Sequence, residues 1–280
     1  MVYIVIPVHN RINKTVKCID SIYAQNYKDL SIIVIDDGSI DKTSQILLKK
    51  YPGIKVLQGS GSLFWTGAVN LGINYVLNIS KVGDWILLVN NDVIMENDVI
   101  DELTKFSLEK NRKVIINALS VDLSDKKTII KSGTIVKSWF FNITHHILQG
   151  SNRNELHSTD AIRADLLTGR CLLHPIEVFQ SIGKYDSIRF PHYGGDDEFT
   201  ARASRHGYEL YVLPSAIVFL DNDKSSFNDQ KIIDRLFGIR SGINLINRWK
   251  ITMAVVPTIS KPSYFLISLI KSFYVLIKSR

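Results

Sequence analysis

Cysteine is scarce in this 280-residue sequence, with Cys18 and Cys171 as its two thiols. They cannot build a disulfide framework or a multi-cysteine zinc site, so neither device holds the fold together. Seven prolines and sixteen glycines exclude a collagenous or low-complexity chain. The apolar stretch Val2–Val8 is too short to span a bilayer, is interrupted by Pro7 and follows no basic segment. That is wrong for a signal peptide, and the expectation is an intracellular chain. No Gly-Lys-Ser/Thr phosphate loop, no His-Glu-x-x-His and no Gly-x-Ser-x-Gly occurs, which removes common ATPase, zinc-protease and hydrolase signatures. Of seven scattered histidines only His145 and His146 are adjacent, and neighbours on a strand face opposite ways, against a shared ligand role.

What is present is ample apolar material. A hydrophobic share of 45% with 10% aromatics builds a sizeable core and excludes intrinsic disorder. The net charge of +7 is unevenly placed. From Lys224 onward ten basic residues face two acids, a local balance of +8, which leaves −1 for everything before. A neutral body with a basic tail lacks the cationic reading surface of a nucleic-acid-binding domain. It suits a body that does chemistry and a tail that meets an anionic surface.

Apolar runs and helical periods alternate through the first half. Strands are expected at 2–8, 31–35, 54–57 and 84–89, and helices at 13–25, 39–50 (capped by Ser39 or Asp41) and 68–77. That alternation implies an α/β fold with a mostly parallel sheet wrapped by helices. The second half is less regular. It predicts helices at 98–109, 175–182 and 196–206, and strands at 114–118, 210–213 and 216–220. Antiparallel excursions are expected over 128–147, and a strand broken by Gly169 over 161–173.

The position of the acids is the informative feature. In open parallel sheets ligands bind beyond the carboxyl ends of the strands. Asp36-Asp37 ends the second predicted strand, a glycine-rich stretch Gly59–Gly67 follows the third, and Asn91-Asp92 follows the fourth. Acids at the lip of a phosphate-binding cleft require a divalent cation, and oxygen ligands favour Mg²⁺ or Mn²⁺. Each piece alone is also an ordinary turn or strand exit, and Gly59-x-Gly61 lacks the third glycine of a dinucleotide fingerprint.

Taken in order, the pieces resemble family-2 glycosyltransferases of the GT-A fold, and among them the rhamnosyltransferase-like enzymes of bacterial surface polysaccharides. The matching segments are Ile4–Arg11 (IVIPVHNR), Ile33–Ser39 (IVIDDGS) and Gly61–Gly72 (GSLFWTGAVNLG). Val89–Asp92 (VNND) takes the place of the metal-binding D-x-D motif, and Tyr193–Glu198 (YGGDDE) that of the Glu-Asp motif bearing the catalytic base. The resemblance covers about residues 1–220. It implies a GT-A, Rossmann-like sheet with a C-terminal helical extension, and inverting, metal-dependent transfer from a UDP- or dTDP-sugar to a glycan or lipid-linked acceptor.

Asp92 is then the expected ligand of Mn²⁺ or Mg²⁺, with Asn91 beside it. Asp196 is the expected base, preferred over its neighbour Asp197 on the match to the motif. Pro7, His9, Asn10 and Arg11 should meet the base and ribose, and Asp36 or Asp37 the imide of a pyrimidine. Gly67 and Asn70 should let a helix terminus approach the nucleotide. Trp65, Gly169, Arg170 and Asp197 are expected on the sugar and acceptor side. Arg202 fits the arginine six residues beyond the base. One departure stands out: relatives often place a metal-ligating histidine after the strand ending near 220, where this chain reads Leu220-Asp221-Asn222-Asp223. Asp221 or Asp223 is the substitute, or water is. The retained alternatives are a non-catalytic sugar- or nucleotide-binding protein and a sugar-phosphate nucleotidyltransferase; the latter usually carries a basic glycine-rich loop absent after Pro7.

The expected organisation is a catalytic domain over 1–223, with a nucleotide-sugar half to about 120 and an acceptor half beyond, then a basic helical extension over 224–280. Within 251–280, Phe265, Leu266, Leu269, Ile270, Phe273, Leu276 and Ile277 recur at helical spacing beside Lys271, Lys278 and Arg280. This pattern suits a membrane interface, and equally a helix packed on the body or on another subunit. The expected location is the cytoplasm, at the inner face of the plasma membrane.

Overall fold

The computed structural model describes residues 1–220 and 232–278. Its first half alternates β1 (Val2–Val8), α1 (Ile12–Tyr23), β2 (Leu30–Asp36), α2 (Thr43–Lys50), β3 (Lys55–Gln58), α3 (Phe64–Leu77) and β4 (Trp85–Val89). Then come β5 (Val93–Met95), α4 (Val99–Glu109), β6 (Val114–Asp122), and the hairpin β7 (Gly133–Ser138) and β8 (Ile143–His146). Short β9 (Ile162–Arg163) and β10 (Leu166–Leu167) lead into β11 (Cys171–Pro175), α5 (Ile176–Ile182), α6 (Gly195–Arg205) and β12 (Glu209–Leu220). The tail forms α7 (Ile232–Phe237), α8 (Leu245–Val255) and α9 (Lys261–Lys278).

The central sheet runs β3-β2-β1-β4-β11-β6-β12-β5, with β9 pairing β12 off this path. Strands β1 to β4 are parallel, as the βαβ rhythm requires. Strand β11 enters between β4 and β6 antiparallel to both, and β12 lies parallel to β6. Because β11 runs backwards, its first residue Cys171 pairs with Val89, the last residue of β4. The loops before β11 and after β4 therefore meet at one sheet edge.

Burial follows the two-residue strand period. Ile4, Ile6, Val34 and Leu87 pack with Ile19, Ile22 and Leu103 of α1 and α4 in one core layer. Val5, Ile33, Ile35 and Leu88 pack with Val69, Ile73 and Val76 of α3 in the other. With both faces covered, the strands read as continuous apolar runs.

Three expectations are corrected. Helix α3 begins at Phe64, not near 68, so Trp65, Thr66 and Gly67 belong to its first turn. The stretch 161–173 forms three short strands rather than one broken strand. The separate strands 210–213 and 216–220 are one strand with a register shift between Leu213 and Ile217, where Pro214 supplies no N–H to the ladder.

The tail folds back on the body. Arg205 of α6 donates to the carbonyls of Ala254 (2.9 Å) and Val255 (2.6 Å), and Lys250 to that of Arg189 (3.0 Å). Trp249 meets Phe265 with ring centroids 4.9 Å apart, and the Asn142 amide donates to Ser268 Oγ at 2.8 Å. Among the described residues no helix is long and apolar enough to cross a membrane.

Candidate active site

A cleft of about 950 Å³ opens at the carboxyl edge of the parallel strands. On one side the loop after β1 carries Pro7, His9, Asn10 and Arg11. Asn10 and Arg11 both adopt left-handed backbone, with φ of 61° and 65°. The loop is tied to the one after β2: the Asn10 amide donates to Ser39 Oγ (2.7 Å), the Ile40 amide to Asn10 Oδ1 (2.9 Å) and His9 Nδ1 meets the Asp37 carbonyl (2.7 Å). Asp37 is 5% exposed, and its carboxylate accepts from the amides of Gly61 (2.7 Å), Leu63 (2.9 Å) and Phe64 (3.2 Å). These donors lie just before and at the start of α3, where an acid is stabilised by unpaired N–H groups and the helix dipole. The same capture draws the helix start back to Phe64.

At the centre, the Asn90 amide donates to the Arg170 carbonyl (3.0 Å), and Asn90 Oδ1 accepts from Trp65 Nε1 (2.8 Å). The Trp65 ring lies so close to Gly169 that a Cβ there would stand 2.5 Å from ring carbons, which excludes any side chain. Beyond Asn90, Asn91 donates to Thr15 Oγ1 at 3.0 Å. Asp92 Oδ2 stands 3.8 Å from the Arg11 guanidinium, and Asp92 Oδ1 is buried with no hydrogen-bond partner among the described residues. An anionic oxygen left bare in a cleft fits a hard divalent cation, which is commonly held by one or two carboxylates with phosphate oxygens and water. Among the described residues no three acids, histidines or cysteines converge, so Asp92 would offer such an ion one carboxylate and leave the other positions to phosphate oxygens and water. Asp221 and Asp223 lie outside the described residues.

Facing this loop is the start of α6. Gly194 has φ 85° and sits against Ile251 of α8, where a Cβ would be 2.5 Å away. Asp196 accepts from the Gly169 amide on Oδ2 (3.1 Å) and from the Asp197 amide on Oδ1 (3.0 Å), fixing its orientation. Asp197 lines the cleft beside it, and burial, with the Asp196 charge second, pushes its carboxyl up to about 6, against the pull of Lys131. Glu198 turns away, 5% exposed, to take Arg202 at 2.8 and 3.1 Å. Arg202 also binds the carbonyls of Ile182 and Lys184 and is an anchor for α6.

Pro7, His9, Asn10, Arg11, Asp37, Trp65, Asn91, Asp92, Gly169, Arg170, Asp196 and Asp197 therefore line one cleft. Asp36, Gly67 and Asn70 do not. Asp36 spends its carboxylate on the Ser39 amide (2.9 Å) and the Ser44 hydroxyl, bracing the β2–α2 connection. Gly67 lets α3 close on Leu63, to which a Cβ would come within 3.2 Å. Asn70 brackets Tyr185, donating to its carbonyl (2.8 Å) and accepting its amide (3.2 Å). The sequence reading missed the far wall, where Lys131, His192, Arg240, Arg248 and Tyr264 stand. The tail's positive balance was the available signal; its contact with the cleft was not.

A nucleotide-sized cleft at the edge of a mixed sheet, a metal-competent acid after β4 and a carboxylate pair on the opposing helix define a GT-A glycosyltransferase. The family described as Glycosyl transferase family 2 matches residues 3–164, and the chain belongs to it. The chain is 30% identical over 227 residues to the glycosyltransferase GlyG of Streptococcus pneumoniae serotype 4, covering 80% of this chain and 69% of that protein. It is 31% identical over 154 residues to an uncharacterized glycosyltransferase of Rickettsia felis, of which it spans 24%. Among solved structures, GalNAc-T7 with UDP, GalNAc and Mn²⁺ superposes with a TM-score of 0.70 at 14% identity, over 95% of this chain and 50% of that one. Staphylococcus aureus TarS 1–349 with UDP-GlcNAc gives 0.61 at 15% identity, over 98% of this chain and 72% of that one. These two likenesses bear on the fold.

The raised carboxyl of Asp197 has a stability consequence. Between the unfolded value near 3.8 and the folded value of about 6, the native state holds the extra proton, so stability falls as pH rises through that window. Asp197→Asn is expected to stabilise the protein at pH 8 by about 1–3 kcal/mol and to have little effect near pH 4. Urea denaturation at the two pH values measures this.

Proposed function

We propose that this protein moves a hexosyl or deoxyhexosyl group, rhamnose being one candidate, from a UDP- or dTDP-linked donor to a hydroxyl of a glycan or lipid-linked acceptor in bacterial surface-polysaccharide synthesis. The observation that carries the reading is the single cleft with bare Asp92 on one wall and oriented Asp196 on the other. GalNAc-T7 holding UDP and Mn²⁺, and TarS holding UDP-GlcNAc, support it.

The nucleoside lies against Pro7–Arg11 and the Asp37 loop, and the diphosphate reaches towards Asp92 and Arg11. Mn²⁺ or Mg²⁺ held at Asp92 would neutralise charge on the departing diphosphate. Asp196 takes the proton of the acceptor hydroxyl while that oxygen bonds C1 and the C1–phosphate oxygen bond breaks. One base and no covalent sugar–enzyme intermediate give inversion. The Gly169 and Asp197 amides aim the Asp196 carboxylate before substrate arrives, so no binding free energy goes into orienting it.

The catalytic unit is 1–223, and the 224–280 extension completes the cleft and brings the protein to the inner face of the plasma membrane. Leu266, Ile270, Phe273 and Ile277 lie on one face of α9 and are 59%, 60%, 48% and 72% exposed. Phe140 and Phe141, at the turn of the β7–β8 hairpin, are also exposed, and that hairpin is bonded to α9 through Asn142 and Ser268. An apolar face in a basic segment suits anionic lipid.

Asp196→Asn keeps one acceptor oxygen for Gly169 and is expected to lower transfer by about 10²–10⁴-fold while UDP or dTDP still binds. An Asn variant transferring at the normal rate would remove Asp196 from the base role. Vesicle flotation tests the tail: binding to phosphatidylglycerol vesicles, weak binding to phosphatidylcholine, and loss of both in Ile270→Asp are expected. Equal flotation of the variant would refute that surface.

A further inference from the structure

The far wall of the cleft is cationic, and the acid it faces is Asp197, on which Lys131 pulls. Lys131 comes from the β7 approach, Arg240 from the segment after α7, and Arg248 from α8. Among the described residues none of the three has an ion-pair partner. Arg240 rests over the Phe64 ring, 5.7 Å from its centroid. Arg248 is the most constrained: its Nε is cut off from solvent and has no hydrogen-bond partner among the described residues. A guanidinium brought into a cleft with a bare N–H is costly, because the water it gave up is not replaced. The other two cleft arginines are engaged within the chain, Arg11 facing Asp92 and Arg170 donating to the Lys131 carbonyl at 3.3 Å.

We infer that Arg248, in a cleft that Arg240 and Lys131 also line, is a subsite for a phosphate carried by the acceptor. The chemistry follows from the donors: a planar guanidinium with a free N–H matches two phosphate oxygens at once, and flanking cations spread the remaining charge. The position separates this subsite from the donor diphosphate. Ile251, one turn beyond Arg248 on α8, packs against Gly194 at the start of α6, where a Cβ would stand 2.5 Å from it, and this puts Arg248 at the carboxylate-pair end of the cleft. The donor phosphates belong to the opposite wall, at Asp92 and Arg11. The inference rests on the reading of the Asp196 side as the acceptor side. It makes the tail a specificity element that selects a phosphorylated acceptor, such as a sugar phosphate or a lipid-linked phosphate, over a neutral glycan.

The test uses the full-length protein and inorganic pyrophosphate and methyl phosphate as probes, titrated by calorimetry with and without saturating UDP. Expected is methyl phosphate binding that survives UDP saturation, weakens at least about tenfold in Arg248→Gln and is partly kept in Arg248→Lys. Nucleotide affinity should be unchanged in both variants, which also certifies their fold. Should Arg248→Gln fail to fold, Lys131→Gln carries the same expectation with a smaller loss. Displacement of methyl phosphate by UDP, or equal binding by wild type and variants, would overturn the inference. Pyrophosphate displaced by UDP while methyl phosphate stays places the two phosphate sites on opposite walls, as expected. A protein that binds methyl phosphate through Arg248 but no nucleotide would instead refute the proposed transfer and leave the anion subsite standing.

Discussion

The cleft depends on one chain of contacts through Asn90. Its side chain accepts the Trp65 indole N–H, its amide bonds the Arg170 carbonyl, the Trp65 ring covers Gly169, and the Gly169 amide holds Asp196. Three loops distant in sequence are thereby held in one arrangement: the start of α3, the exit of β4 and the entry to β11. The insertion of β11 against the strand direction makes this possible, since it returns the chain to the edge where β4 leaves the sheet. A sheet parallel throughout would have sent that segment out at the opposite edge, and the base helix would have lost its link to the acid loop.

Charge is sorted around this node. Acids that brace the scaffold, Asp36 and Glu198, are buried and satisfied by named partners. Of the acids and cations that face the cleft, Asp92 Oδ1 and Arg248 Nε are buried without a hydrogen-bond partner among the described residues. Buried polar groups are paired in nearly all folded proteins, and these two, of opposite sign in one cavity, are the basis of the proposed metal and phosphate positions. The wall bearing Arg248 comes from the tail, so the extension lines the cleft together with the body.

Much of this was legible in the residues. The strand runs of the first half and the acids that follow them locate the cleft edge, because a β-branched run and a polar exit are local signals. The roles of Asp36, Gly67 and Asn70 were not legible, because a motif matches a position and not the direction of a side chain. Asp36 and Asp37 are adjacent at a strand exit and both carboxylates are held by backbone amides, and only the fold tells that Asp37 borders the cleft while Asp36 does not. The cationic wall was hidden for a different reason. Arg240 reaches the cleft over the Phe64 ring, and Arg248 through the packing of α8 on α9 and α6, contacts over long sequence separation that periodicity does not encode. The tail's charge balance announced an anion, but not where it binds.

The central claim is that Asp92 and the β1 and β2 loops receive a pyrimidine nucleoside diphosphate together with a divalent cation. Thermal unfolding with UDP, dTDP and GDP, each with and without Mn²⁺, tests it most directly. Ligand at a hundred times its dissociation constant adds about 2.7 kcal/mol, which for a protein of this size raises the midpoint by several degrees. A rise with UDP or dTDP that requires Mn²⁺ and is lost in Asp92→Asn is the expected result. No rise with any diphosphate, or a rise indifferent to both Mn²⁺ and Asp92, would contradict the account.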